Sequence, residues 1–486
     1  MDYVIGCDVG SQGTKGILLS LEGEVRCEAY EGYPIDYPHP LWAEQPVARW
    51  VGALTMVIRQ LLSNSGAAPG EVRALSLATQ VDGVIPIDIN GQALHPAIIW
   101  MDRRAGAQCE PVRQAVGTDR VFQETGLNID ATHVAPKIRW LAEHQPDVYE
   151  RASYFLLPGS YMAYYLTDEV AVDYSNASST LLLDVRTKTW STSMGKAFDI
   201  DVSRLGPVGA ASARLGTIRQ EVAEQLGLTP DTIVMVGCGD EHAACLGAGI
   251  TQSGLVADIA GTAEPVCAAS RELVFDTTRL VETHCHADPD LWLLENPGFV
   301  SGGNYRWLRD QFAHDQTYAL LDTEAAAVPP GAEGLTFLPS LMGAMAPTWN
   351  EAARGTFAGF TLAHTRGHFV RALLEGSAYA VRDNTSQMQA SGLSLHELRV
   401  VGGGAKSRLW NQIKADITGL PVSVPAITET TALGAAFLAL VGIGAYSSLS
   451  EASDHIVQIR ERIDPDPSTQ AAYEDAYARY LSLIHI

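Results

Sequence analysis

Basic side chains are scarce in this chain. Lysine and arginine total 33 of 486 residues against 56 aspartates and glutamates, a net charge of −23. A mean field of that sign repels polyanions, which excludes nucleic acid and an anionic bilayer surface as general partners. A turn rich in backbone N–H groups still binds phosphate inside an acidic protein. Cysteine is also sparse: Cys7, Cys27, Cys109, Cys238, Cys245, Cys267 and Cys285 are odd in number, and no two have a C-x-x-C spacing. Neither a disulfide framework nor a zinc site is implied, and small buried thiols in a reducing cytosol are expected. Long apolar runs are missing. The longest, Ala432 to Tyr446, contains Gly434, Gly442 and Gly444; it is too short to span a bilayer and reads as a buried helix. The opening residues lack the basic start and long apolar stretch of a secretory leader, so the expected location is the cytoplasm.

What is present is a globular balance, 47% hydrophobic and 18% charged, in a chain long enough for two domains. Strands are predicted at Tyr3 to Cys7, Gly16 to Ser20 and Glu24 to Tyr30, a meander with a Gly-rich first turn. Further strands are expected at Val72 to Ala78, Gly83 to Asp88 and Thr232 to Val236. Helices are expected at Val47 to Leu62, Ala135 to His144 and Gly159 to Leu166. The opening pattern, strand then aspartate then Gly-containing turn, returns at Gly254-Leu-Val-Ala-Asp-Ile-Ala-Gly-Thr262. A third Gly-rich turn, Gly402 to Ala405, follows the strand Leu398 to Val401. The repeated unit at Asp8 and Asp258 suggests duplicated halves, placed at 1–247 and 248–486. No polar linker separates them, so an extended interface is expected.

Two strings carry chemistry. Asp8-Val-Gly-Ser-Gln-Gly-Thr-Lys15 supplies small residues, free N–H groups, hydroxyls and one lysine, the equipment of an anion-binding turn, with Asp8 able to hold Mg²⁺. An ordinary hairpin explains the same string, and it does not match the P-loop pattern. Gly237-Cys-Gly-Asp240-Glu241-His242 ends an apolar strand and opens an Ala-rich helix. An aspartate there suits a base that accepts a hydroxyl proton, or a plain helix cap.

Together with other segments, these strings make the chain resemble the FGGY carbohydrate kinases, over nearly its whole length. The resemblance runs through Pro96 to Arg104, Lys137 to Leu141, Asp173 to Ser178, Leu183 to Thr187 and Gly237 to Asp240. It continues in Gly261-Thr262, Trp307 to Asp310, Gly334 to Pro339, Arg354 to Gly359, Leu374 to Gly376, Gly402 to Ala405 and Ala432 to Ala436. The resemblance implies an α/β, two-domain actin-like ATPase (ribonuclease H-like) fold closing over ATP and Mg²⁺ in a cleft between the domains. It makes Asp240 the expected catalytic base, with Asp8 and Asp240 at the metal. Asp8, Gly10, Ser11, Gly13, Thr14 and Lys15 would face the transferred phosphate from the first half. Gly261, Thr262, Gly302, Gly403, Gly404, Ala405 and Arg408 would contact ATP from the second. Gln80, Val81, Asp82, Trp100, Asp102, Asp240 and Glu241 would meet the acceptor, a small sugar or polyol. A homodimer is compatible with the same resemblance.

The acceptor segment departs from the family. Xylulokinases read Gly-Gln-Met-His-Gly where this chain has Thr79-Gln-Val-Asp-Gly83, and glycerol kinases carry an Arg-Glu pair. A carboxylate at Asp82 accepts hydrogen bonds from two neighbouring hydroxyls, or Asp82 is simply a turn residue before Gly83. Met342 to Pro347 replaces a Gly-Glu-Arg segment. Length and pattern sit closest to xylulokinase, so D-xylulose is the first expectation, with ribulose, erythritol, xylitol and glycerol as alternatives. An acceptor-free ATPase and an idle binding protein are the rivals from other classes; both Asp8 and Asp240 are present, which favours the kinase. His284-Cys285-His286 is read as structural for want of a second ligand cluster. Trp292, Phe299 and Trp307 are read as core packing rather than a sugar platform. The last residues, Leu481 to Ile486, match nothing useful.

Overall fold

A computed structural model describes residues 2–298, 300–344, 350 and 352–484. Its frame is two seven-stranded sheets. In the first, Tyr3–Val9 pairs antiparallel with Gly13–Ser20, which pairs antiparallel with Val25–Gly32. On its other side Tyr3–Val9 runs parallel to Val72–Thr79, and that strand runs parallel to Ile233–Met235 and to the short Cys238–Gly239. Arg214–Thr217 closes this edge antiparallel. Every residue of Val72–Thr79 but Arg73 is buried, the apolar run expected of a strand covered on both faces.

The second sheet repeats the order. Leu255–Ile259 pairs antiparallel with Val266–Ser270 and parallel with Glu397–Val401; Val422–Pro425 follows in parallel, and Ile459–Ile463 closes antiparallel. Trp292–Asn296 and Glu282–Cys285 extend the far edge. The duplication read from Asp8 and Asp258 therefore extends to whole sheets, with both aspartates on the strand where antiparallel pairing gives way to parallel.

The apolar run of the last quarter forms the helix Thr430–Gly442, and its place was not readable. It packs on the first sheet, although it belongs to the second half in sequence: Ala432, Leu433 and Ala436 share a core with Val4, Ile17, Ala74 and Ala78. Glycine makes the approach possible. A Cβ on Gly6 would stand 2.1 Å from Ala432 O, and one on Gly434 would stand 1.9 Å from Ala243 O. The helix Asp240–Gly247 thus touches Thr430–Gly442 backbone to backbone. The halves meet again where Thr283 N–H donates to Gly126 O at 2.9 Å.

All seven cysteines are free thiols, six of them buried. Among the described residues, no helix is long and apolar enough to cross a membrane. Trp292 donates to Val185 O at 3.2 Å and lies under Lys188. Trp307 corrects the core expectation. On the helix Gly302–Phe312 the inward face is Asn304, Tyr305 and Leu308, which leaves Trp307 36% exposed with its edge against Phe312. Phe299 and residues 345–347 of the Met342 to Pro347 segment lie outside the described residues.

Candidate active site

The first turn is braced from outside. Gly10 N–H donates to Gly13 O at 3.1 Å, Tyr33 OH donates to Gly10 O at 2.6 Å, and Trp100 Nε1 donates to Ser11 Oγ at 2.7 Å. Gln80 donates to Gln45, which donates to Ser11 O. Asp8, next to last in its strand, lies directly opposite Lys15. Its Oδ1 is shielded from solvent and has no hydrogen-bond partner. Burial lifts the Asp8 carboxyl to about 7, with Lys15 opposing and Glu429 adding to the rise. The Lys15 ammonium lies 2.9 Å from Glu429 Oε2, a pairing between the two halves of the chain.

Asp240 comes to the same place from the next strands. Ala78 is the register partner of both Asp8 and Cys238, so Asp240 sits just past the carboxyl ends of the parallel strands, beside Asp8. Ligands of open α/β sheets bind at such strand ends. The N-cap of the helix Asp240–Gly247 is Gly239, held by Ser175 Oγ at 3.0 Å. Asp240 is thus the first helical residue and not the cap, and its Oδ1 accepts from Glu241 N–H at 3.0 Å. Burial pushes Asp240 well above the ordinary carboxylate range, and the charges of Asp8 and then Glu241 push the same way. Two neighbouring carboxylates, with Asp8 raising Asp240 and one Asp8 oxygen left without a partner, fit a divalent cation. Mg²⁺ sites use one or two carboxylates plus substrate phosphates. Among the described residues no group of three or more His, Cys, Asp or Glu side chains could hold a metal by itself.

Asp82 lies near Glu241, whose carboxyl is raised first by burial and then by the Asp82 charge. Asp82 takes φ +57°, so it is a turn residue, and its carboxylate also faces His133 Nδ1 at 3.3 Å. The buried Lys137 pins this turn, donating to Asp82 O, Ile99 O and Thr132 O at 2.5–2.8 Å. Val81 packs over Gly239. Glu241 hydrogen-bonds Glu295 of the second sheet, and His284 Nε2 stands 3.7 Å from Glu295 and 3.9 Å from Glu282. His284 therefore faces this carboxylate group, while His286 Nδ1 accepts from Asp288 N–H. Trp100 is exposed. Asp102 is not brought to this space: it is fully buried, and its oxygens are taken up by Arg104 and by Ala43 N–H.

Three turns of the second half converge. A Cβ on Gly302 would stand 2.3 Å from Gly261 O, and one on Gly402 would stand 2.9 Å from Ala260 O. Ser301 N–H and Gly303 N–H both donate to Thr262 O at 3.1 Å, and Gly404 N–H donates to Ala260 O at 2.9 Å. The result is a cradle of small residues with little room for side chains. Gly403 has open space around it. Arg408 turns outward and pairs with Glu461 at the surface.

The chain matches the FGGY family of carbohydrate kinases in both parts, the N-terminal domain over residues 3–247 and the C-terminal domain over 256–443. The chain belongs to that family. It is a sugar kinase, and kinases of this family use ATP. It is 31% identical to a xylulose kinase of Escherichia coli over 471 residues, 97% of this chain and 96% of that one. It is equally 31% identical to an autoinducer-2 kinase of Salmonella typhimurium over 499 residues, 98% of this chain and 93% of that one. A solved xylulose kinase from Rhodospirillum rubrum superposes with a TM-score of 0.92 at 30% identity, covering 99% of this kinase and 98% of the other.

Several residues of this kinase's site escaped the sequence reading of roles. Lys137 left a signal: it lies on the same helical stripe as the apolar Val134, Ile138 and Leu141, where a charge is out of place. His133, Glu282 and Glu295 left none, because each meets its partners from a distant element.

Proposed function

We propose that this kinase transfers the γ-phosphoryl group of ATP to a hydroxyl of a small ketose or polyol, D-xylulose first, with Asp240 as the base. The observation that carries it is the pair of half-buried carboxylates, Asp8 and Asp240, at the strand ends that flank Ala78. The acceptor oxygen attacks the γ-phosphorus, the bond to the ADP oxygen breaks, and the hydroxyl proton passes to Asp240. A carboxylate raised by burial is a stronger base once deprotonated, and the Glu241 N–H holds its orientation. Mg²⁺, held by Asp8 with Asp240 alongside, would supply charge neutralisation at the phosphate oxygens.

The turn at Gly10 to Thr14 and the cradle of Gly261, Thr262, Gly302 and Gly403 to Ala405 offer N–H groups to the phosphates from two sides. Asp82, steadied by His133, and Glu241, steadied by Glu295, accept from acceptor hydroxyls. Xylulose ranks first because the full-length relatives include xylulose kinases; the equal identity to an autoinducer-2 kinase keeps other small polyhydroxylated acceptors in view. The test is ADP release from Mg-ATP with xylulose, ribulose, glycerol, erythritol and xylitol, on the native chain and on Asp240→Asn. Stimulation by xylulose, lost by about 10²–10⁴-fold in Asp240→Asn with ATP still bound, is expected. Stimulation by another compound alone would replace xylulose, and an Asp240→Asn enzyme of undiminished rate would remove the base.

A further inference from the structure

Beneath the cradle of the second half lies a charge cluster that the reaction leaves unused. Lys414, on the helix Arg408–Thr418, sets its ammonium 2.5 Å from Asp258 Oδ2 and against Glu264 Oε1. All three side chains are sealed, at most 1% exposed. Asp258 Oδ1 and Glu264 Oε2 have no hydrogen-bond partner. Burying such a triad costs several kcal/mol of desolvation per ion, and apolar residues of similar size are often as stable there or more so. Stability is thus a weak reason for it to exist.

Its position supplies a better one. Asp258 belongs to the strand Leu255–Ile259 that leads into the turn at Ala260 to Ala263, and Glu264 is the first residue after that turn. One ammonium therefore clamps the entry and the exit of the turn that carries Gly261 and Thr262. The helix bearing Lys414 leaves from the other Gly-rich turn, and its Asn411 donates to Ala405 O at 3.0 Å. The two turns touch at Ala260, whose oxygen accepts from Gly404 N–H at 2.9 Å. Trp410, one turn back on the same helix, lies 4.7 Å under the ammonium and completes the seal. In the first half the matching aspartate, Asp8, is half-buried opposite Lys15; in the second, Asp258 is sealed against Lys414.

We propose that Lys414 is a positioning residue for the nucleotide, locking the Ala260–Ala263 turn and the Gly402–Ala405 turn at one spacing through Asp258 and Glu264. This rests on the reading that those turns hold ATP. The experiment compares the native kinase with Lys414→Met and with the triple variant Lys414→Met, Asp258→Asn, Glu264→Gln. The triple variant leaves no uncompensated charge and serves where the single variant fails to fold. KM for ATP, KM for the acceptor, kcat and thermal stability are measured, with hydrogen exchange at residues 260–263 and 402–405 with and without Mg-ADP.

The expected result is protection of both turns by ADP in the native enzyme. In the triple variant KM for ATP should rise by about tenfold or more, while KM for the acceptor stays put and the fold remains intact. A split between the two KM values is what a merely structural cluster would not produce. Protection by ADP with an unchanged KM for ATP in the triple variant would overturn the role of Lys414 alone. A triple variant that loses ATP and acceptor equally, or no longer folds, would overturn it too, making the cluster a general stabiliser. Absence of protection at both turns would overturn the nucleotide reading beneath it.

Discussion

At the scale of the residue, the proposed acceptor end holds a buried ion pair, Asp82 with His133. Burial by itself would lower the His133 imidazole; the charge and hydrogen bond of Asp82, with Glu282 and Asp130 behind it, raise it to about 9. A group whose folded pKa stands above its unfolded value of about 6.5 stabilises fully below that value, and loses the effect as pH rises through the folded one. The difference in unfolding free energy between the native chain and His133→Asn should therefore be largest near pH 6. It should shrink by about 3 kcal/mol by pH 10, on the arithmetic of 1.36 kcal/mol per unit. Denaturant titrations across that range decide it. Lys137, held by burial at about 8, titrates alike in both chains and drops out of the difference. A difference independent of pH would mean that His133 is neutral in the fold. The sequence presented Asp82 as a choice between hydroxyl acceptor and turn residue. The structure shows that the turn is real, since φ +57° is the left-handed region that Asp tolerates, and that the carboxylate has a partner 51 positions away.

At the scale of the element, the crossing of Asp240–Gly247 with Thr430–Gly442 governs how firmly Asp240 is carried. Gly434 lets the two backbones touch, and its Cβ position falls 1.9 Å from a carbonyl oxygen rather than from a yielding side chain. Gly434→Ala should force the helices apart and lower stability by about 1–3 kcal/mol, the usual range for overpacking. It should also lower kcat with little change in KM for ATP, because the helix that moves is the one bearing Asp240. Calorimetric melting and steady-state kinetics test both. A variant with native stability would show that the crossing relaxes without cost. The predicted strands and helices are present, but much of the second half, including the helix Arg366–Ala390, was not predicted. Gly13–Ser20 and Val25–Gly32 extend the predicted runs by a few residues, and Val134–His144 begins one residue early. Local periodicity carries that much. It does not say on which sheet an all-apolar helix lands, because Thr430–Gly442 has no distinct polar face to orient it.

At the scale of the molecule, the net charge of −23 acts on every anionic substrate that approaches. Mg-ATP is itself an anion, so the far field opposes its encounter and salt relieves the repulsion. Raising ionic strength from about 0.01 to about 0.15 M should raise kcat/KM for ATP while leaving kcat/KM for a neutral acceptor unchanged. A fall for ATP would show that the phosphate turns generate a positive field strong enough to outweigh the rest of the surface.

The linear order of residues determined the two halves, the repeated strand–aspartate–turn units, the family, and Asp8 and Asp240 as candidates, because each is written in short contiguous strings. The tertiary structure alone decided the pairings that join distant strings. It set Asp82 against His133, Glu241 against Glu295, and Lys15 against Glu429. It also gave the duplicated aspartates different surroundings, Asp8 half-buried and Asp258 sealed against Lys414. The physical reason is that a local motif specifies a backbone conformation, whereas the burial and partner of a charge depend on what the fold brings up from far along the chain.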